Sequence, residues 1–235
     1  MAERRFAALD AARGVALLVM ALYHLAFDLQ FFNGYALGVE SWQWQLFARV
    51  VAASFLFIAG VSLYISDSRL SREGRFRHHF ARGARIFAAG ILITIVTLAL
   101  FPKFAIWWGV LHCIGFGVAA LWIFARRPGA ALVAAMVVLA VSALPVSFEG
   151  MGGWMLWAGF PPAGFQSFDY VPVIPWAAPF LLGIWAGRHA MRYMNKHAVV
   201  LPLPGVAFIA WLGRNSLAVY LAHQPVLVAL VLAFG

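Results

Sequence analysis

Acidic side chains are scarce in this sequence. It holds 8 Asp and Glu against 17 Lys and Arg, and charged residues of both signs make up 11% of its 235 positions. A soluble domain carries roughly 25%. With 64% hydrophobic residues, 10 Trp and 21 Phe, the chain has more apolar surface than one core of its own could hide, so the lipid of a bilayer takes the place of that core. Cysteine is nearly absent. The lone Cys113 excludes an intramolecular disulfide and argues against a thiolate metal cluster, and no metal is expected. There is no low-complexity tract, soluble linker or clear internal repeat, so residues 1–235 read as a single integral-membrane domain. The first apolar run lacks a small-residue cleavage site and contains Asp28, which marks it as a retained helix rather than a signal peptide.

What is present is a series of apolar runs long enough to span, each needing about 20 residues. Seven are expected, at about 13–32, 46–65, 84–101, 107–125, 130–145, 171–187 and 215–234. A shorter piece, 206–212, cannot cross and reads as an interfacial or re-entrant helix before the last span. The expected fold class is therefore all-α, a polytopic membrane helix bundle. Basic residues fall in the connections on one side: Arg4, Arg5 and Arg13, then Arg69 to Arg85, then Arg126 and Arg127, then Arg188 to Lys196 and Arg214. Only Arg49 and Lys103 fall on the other. This distribution fits the positive-inside rule with a cytoplasmic N-terminus and an external C-terminus, and explains the net charge of +9 without invoking nucleic acid. The longest outer connection, 147–170, is rich in Gly, Pro and aromatics and reads as a lid or platform.

Within the first span, MALYHLAFD sets a histidine and an aspartate four residues apart. At 100° per residue Asp10, Arg13, His24 and Asp28 fall within about 60° of one another on one stripe. A polar stripe is costly against lipid, so it faces other helices or a wet passage. An aspartate at i+4 can accept from an imidazole N–H, fix its tautomer and leave the other nitrogen basic. The plain alternative is a polar pair that only joins helices. The last span, NSLAVYLAHQPVL, brings Asn215, Ser216, Tyr220 and His223, with His223 again near mid-depth. The fourth span adds His112.

The ordered stretches LDAARGVALLVMALYH, SFLFIAGVSLYI, WWGVLHCIG, PWAAPFLLGIWAGR and WLGRNSLAVYLAHQP together resemble the transmembrane acyltransferase superfamily, in the branch of heparan-alpha-glucosaminide N-acetyltransferase and its short bacterial relatives. The likeness runs from Asp10 to Pro225. It implies a membrane-embedded acetyltransferase that moves an acyl group from cytoplasmic acetyl-CoA to a hydroxyl or amine of a sugar-like acceptor reached from outside, in a bacterial inner membrane. Arg13-Gly14 fits the family's RG, His24 a position where relatives carry an essential His or Asn, and Asn215-Ser216 and His223 the last-helix motif. One departure stands out: the lysosomal enzyme has a further His where Tyr35 stands here, so an acyl-histidine route through that position does not carry over.

Acyl transfer needs a base, oxyanion donors and a place for an anionic donor. His24 steered by Asp28 is the expected base, with His223, Asn215 or Tyr220 as donors to the oxyanion or thioester. Arg13, Arg82, Arg85, Arg126, Arg214 and Asn215 are the candidate CoA contacts, Arg13 also being able to pair with Asp10. His112, Arg49, Trp176 and Tyr220 are the candidate acceptor-side residues, with Asp169 beside Arg49. The expected partners are small-molecule substrates and the lipid bilayer, with a homodimer left open. Two other readings compete: a proton-coupled small-molecule transporter, and a redox protein with haem held by His24 and His223 or His112.

Overall fold

The computed structural model describes residues 2–144, 152–196 and 204–234. The expected end of the fifth span at Pro145 and the start of the long connection at Ser147 lie outside them. Among the described residues the fold is all-α, of the membrane helix-bundle class, with eight α-helices: α1 Ala2–Asn33, α2 Trp42–Asp67, α3 Arg75–Leu100, α4 Val110–Ala120, α5 Pro128–Ser142, α6 Val173–Lys196, α7 Pro204–Arg214 and α8 Ser216–Phe234. The only β feature there is an isolated parallel bridge between Trp108 and Tyr170.

Four helices, α1 from Ala7, α2, α3 and α8, are long and apolar enough to cross a bilayer. Leu22, Ile95, Val133 and Leu232 are exposed, a pattern suited to lipid and unsuited to water. The other expected spans form helices with local breaks. α4 tightens into a 3₁₀ turn over Leu121–Phe124, and α5, opened by Pro128 at its first position, is 15 residues or about 22 Å long. In α6, Ile174 leaves helical geometry (φ −103°, ψ 120°), as the residue before a proline tends to do. α7 has 11 residues, too few to cross.

The chain divides into two compact units, 1–55 with 193–235, and 56–192. In the first, α7 lies antiparallel along the N-terminal half of α1. A Cβ on Gly14 would fall 2.0 Å from the Ile209 carbonyl oxygen, and one on Gly213 would fall 1.7 Å from that of Asp10. Only glycine admits such backbone proximity. After the break at Arg214 the chain reverses, and α8 runs parallel to α1: His223 meets His24, Gln224 meets Asp28, and the Val231 carbonyl accepts from Asn33 at 3.4 Å. Leu17, Met20 and Val51 form the core here, closed by Phe47, Phe55, Leu212, Val219 and Tyr220.

In the second unit the remainder of α2 packs on α6. Gly60 faces the Phe180 carbonyl and Gly183 that of Phe57, each within about 2 Å of where a Cβ would stand. Leu56, Leu63, Phe180, Leu181 and Ile184 are fully buried. α3 and α4 approach through Gly83 and Gly115.

Candidate functional site

The first unit assembles the polar stripe of α1 against α8. The His24 and His223 rings lie 5.0 Å apart, centroid to centroid, and Tyr220 stands edge-on to His223 at 5.3 Å. His223 Nδ1 donates to the Tyr220 carbonyl one turn back, so its lone pair resides on Nε2, which is buried and without a partner among the described residues. A backbone carbonyl thus fixes the tautomer of His223, the role expected of Asp28 toward His24.

Asp28 is used differently. No hydrogen bond joins it to His24. Its Oδ1 accepts from Gln224 Nε2 at 2.7 Å, because the longer amide of α8 reaches the carboxylate across the parallel helix contact. Asp28 is 1% exposed, and its Oδ2, together with Gln224 Oε1, has no partner among the described residues. Three buried acceptor atoms, Asp28 Oδ2, Gln224 Oε1 and His223 Nε2, therefore share one short stretch of the α1–α8 contact. Buried acceptors left unpaired are costly, and the group they call for is a donor: a hydroxyl, an amine or a proton.

About 16 Å along α1 from His24 at 1.5 Å per residue, Arg13 Nη1 pairs with Asp10 Oδ1 at 2.6 Å. Arg214 is near enough to act on the same carboxylate. Arg214 and Asn215 are exposed, with Asn215 Nδ2 donating to the Trp211 carbonyl at 2.9 Å. Arg49 is exposed on α2.

The remaining candidates belong to the second unit. His112 is 3% exposed and both its nitrogens are engaged. Nδ1 accepts from Gly109 N–H at 3.2 Å, Nε2 faces Thr94 Oγ1 at 3.4 Å, and that hydroxyl donates to the Ile106 carbonyl. This chain of bonds is self-consistent only with the proton on Nε2, and it pins the entry to α4. Asp169 completes that cap: its Oδ2 accepts from Val110 N–H at 2.8 Å. Burial pushes its carboxyl up to about 6, the Val110 bond opposing the shift. The segment carrying Asp169 is itself tied down, with Phe168 N–H donating to the Phe104 carbonyl at 3.0 Å and Val171 N–H to that of Trp108 at 2.8 Å. Trp176 is half-buried at the start of α6. Arg82 is half-buried and Arg85 exposed, the latter donating to the Ala81 carbonyl at 3.2 Å. Arg126 is committed, through Nε to Asp67 Oδ2 at 3.0 Å and through Nη2 to the Leu70 carbonyl at 3.2 Å.

Gln224 is the residue that reading by type passes over. It stands next to His223 in the HQP triplet, and an uncharged amide within a span attracts less notice than a histidine or carboxylate. Asp67 and His79, both fully buried, were hidden in a stretch that reads as a basic connection.

No curated protein and no solved structure matches the chain significantly. The family model described as heparan-alpha-glucosaminide N-acetyltransferase, catalytic, matches residues 5–225, a range that holds the RG of α1, the His24–His223 contact and the Asp28–Gln224 bond; the chain belongs to that membrane acetyltransferase family.

Proposed function

We propose that the protein transfers an acetyl group from cytoplasmic acetyl-CoA to a hydroxyl or amine of a sugar-like acceptor that enters from the far side of the membrane. One observation carries this reading: two imidazoles, from α1 and α8, meet at 5.0 Å beside a cluster of unpaired acceptors. His223, whose lone pair is set on Nε2, is the base that takes the acceptor's proton. His24 lies against it, and the imidazole pair returns that proton to the CoA sulfur, which leaves as the thiol when the C–S bond breaks and the acetyl–acceptor bond is complete. Asp28, held by Gln224, stabilises the positive charge that develops on the imidazole pair.

The same cluster suits the incoming acceptor. Its hydroxyl or ammonium brings the donors that Asp28 Oδ2, Gln224 Oε1 and His223 Nε2 lack among the described residues. For acetyl-CoA, the first unit supplies Arg214 and Asn215, exposed at the end of α1 where the chain starts, and Arg13 braced by Asp10. Their cationic and amide donors fit phosphate oxygens. When bound, the donor supplies an activated thioester; the chain supplies the base, the orientation and a site shielded from water. The arm of CoA reaches on the order of 15–20 Å, comparable to the distance along α1 from Arg13 to His24. Arg82 and Arg85 are further phosphate candidates on the second unit. The buried carboxylate and amide beside the imidazoles favour proton transfer over axial ligation of haem, and family membership favours acyl transfer over transport.

The test is acetyl transfer by purified protein with radiolabelled acetyl-CoA and an amino-sugar acceptor. His223→Ala and His24→Ala are each expected to lose at least about 10²-fold in turnover while acetyl-CoA binding persists. Wild-type turnover in both variants would remove the imidazole pair from the chemistry.

A further inference from the structure

A second polar cluster lies in the other unit, where α2 ends and α3 begins. Asp67 is 1% exposed and is surrounded by cations. Its Oδ1 is 3.2 Å from Arg75 Nε and 3.1 Å from His79 Nε2, and its Oδ2 accepts from Arg126 Nε at 3.0 Å. Two guanidinium charges thus face one carboxylate. Arg82 adds a third positive charge close enough to act on His79.

The carboxylate is saturated, and the cations are not. The Arg75 side chain is 10% exposed, yet among the described residues neither Nε nor Nη2 makes a hydrogen bond, the ion-pair contact at Nε being poorly aligned. His79 is fully buried, its Nε2–H given to Asp67 and its ring stacked on Trp122 at 5.8 Å, so it orients the carboxylate and adds no free donor. Arg75 is also the first residue of α3. The helix has Gly74 at its N-cap, with no side-chain cap hydrogen bond, so its first backbone N–H groups lack a side-chain acceptor. Surplus cationic charge, idle buried guanidinium donors and an uncapped helix start share one requirement, an anion with several acceptor oxygens. Arg126, half exposed beside Asp67, lies on the side open to entry.

We infer that Arg75 and Arg126, arranged on Asp67 at the start of α3, form a binding site for a phosphate group. A guanidinium takes a phosphate through paired N–H donors, and a helix N-terminus adds backbone N–H groups. Asp67 orients the cations and competes for them. The phosphate can come from an anionic lipid headgroup or from a soluble phosphate ester; the recognition chemistry is shared. The inference does not need the acetyl-transfer reading, because it uses none of His24, His223, Asp28 or Gln224 and its test reads phosphate binding without any transfer.

The experiment follows thermal unfolding of the purified full-length chain in detergent, titrated with inorganic phosphate and with sodium chloride at matched ionic strength. It is repeated in phosphatidylcholine nanodiscs with and without phosphatidylglycerol. Phosphate is expected to raise the melting temperature of the wild type and of Arg77→Gln, an exposed control, beyond what chloride does. Arg75→Gln should bind phosphate about tenfold more weakly. Asp67→Asn, which removes the competing carboxylate, should bind several-fold more tightly. A lipid source shows as stabilisation by phosphatidylglycerol to which phosphate adds nothing, a soluble source as a phosphate effect undiminished by that lipid. Phosphate equal to chloride in every arm, or Arg75→Gln responding like the wild type, overturns the site. Should Arg75→Gln fail to fold, Asp67→Asn decides, and unchanged or weaker phosphate binding in that variant is the contrary result.

Discussion

Gln224 is expected to serve both stability and chemistry in this protein. It is the partner that makes a buried carboxylate tolerable in mid-span, since Asp28 has no other hydrogen bond among the described residues. Gln224→Leu is expected to cost about 1–3 kcal/mol by orphaning Asp28, measured as a lower melting temperature in detergent, and to slow acetyl transfer. The double variant Asp28→Leu, Gln224→Leu should recover most of the stability, because replacing both partners by apolar groups is nearly neutral. It should not recover activity. Recovery of both would mean that the pair only joins helices, the plainer view of polar residues in a span. The importance of His24 and Asp28 could be read from the sequence, because ionisable groups in an apolar run are expensive and few. Their hydrogen-bond partners could not, since an i+4 spacing permits a bond within the helix and says nothing of a better one from α8.

Between α1 and α7 the motif glycines have a mechanical purpose. Gly14 and Gly213 allow α7 to lie against α1, the latter so close that a Cβ would meet the Asp10 carbonyl at 1.7 Å. A bulkier side chain must push α7 away from α1, and with it the Arg214–Asn215 turn from which α8 starts toward the imidazole site. Gly213→Leu should therefore destabilise by at least about 1–3 kcal/mol, the usual range for overpacking, and should weaken acetyl-CoA binding. Gly205→Ala, at the other end of the same helix where no described atom stands within 4 Å, should leave both unchanged. Helix positions were largely legible from hydropathy. Lengths were less so: α3 begins at Arg75 and α6 runs to Lys196, because basic amphipathic turns extend a helix beyond its apolar stretch, where a hydropathy reading stops.

Across the whole molecule, the parallel course of α1 and α8 supports the topology that the basic residues suggest. Two spans running in the same direction start on the same side, so residues before α1 and after α8 are expected on opposite sides of the membrane. A C-terminal alkaline phosphatase fusion is expected to be active and a C-terminal green fluorescent protein fusion dark; the reverse pattern would invert the assignment. Composition alone settled the all-α membrane class, because a chain with 11% charge and repeated apolar runs satisfies its backbone in lipid only as helices or a closed barrel, and the runs have helical length. The ordered motifs carried the family. The three-dimensional packing decided which histidine receives a fixed tautomer, that Asp28 belongs to Gln224, that His112 is spent on capping α4, and that Asp67 gathers two arginines. The decisive ones depend on contacts far apart in sequence, 196 positions for Asp28 with Gln224 and 59 for Asp67 with Arg126, set by how close two helices come and in which direction they run, and neither quantity is written in the periodicity of one helix.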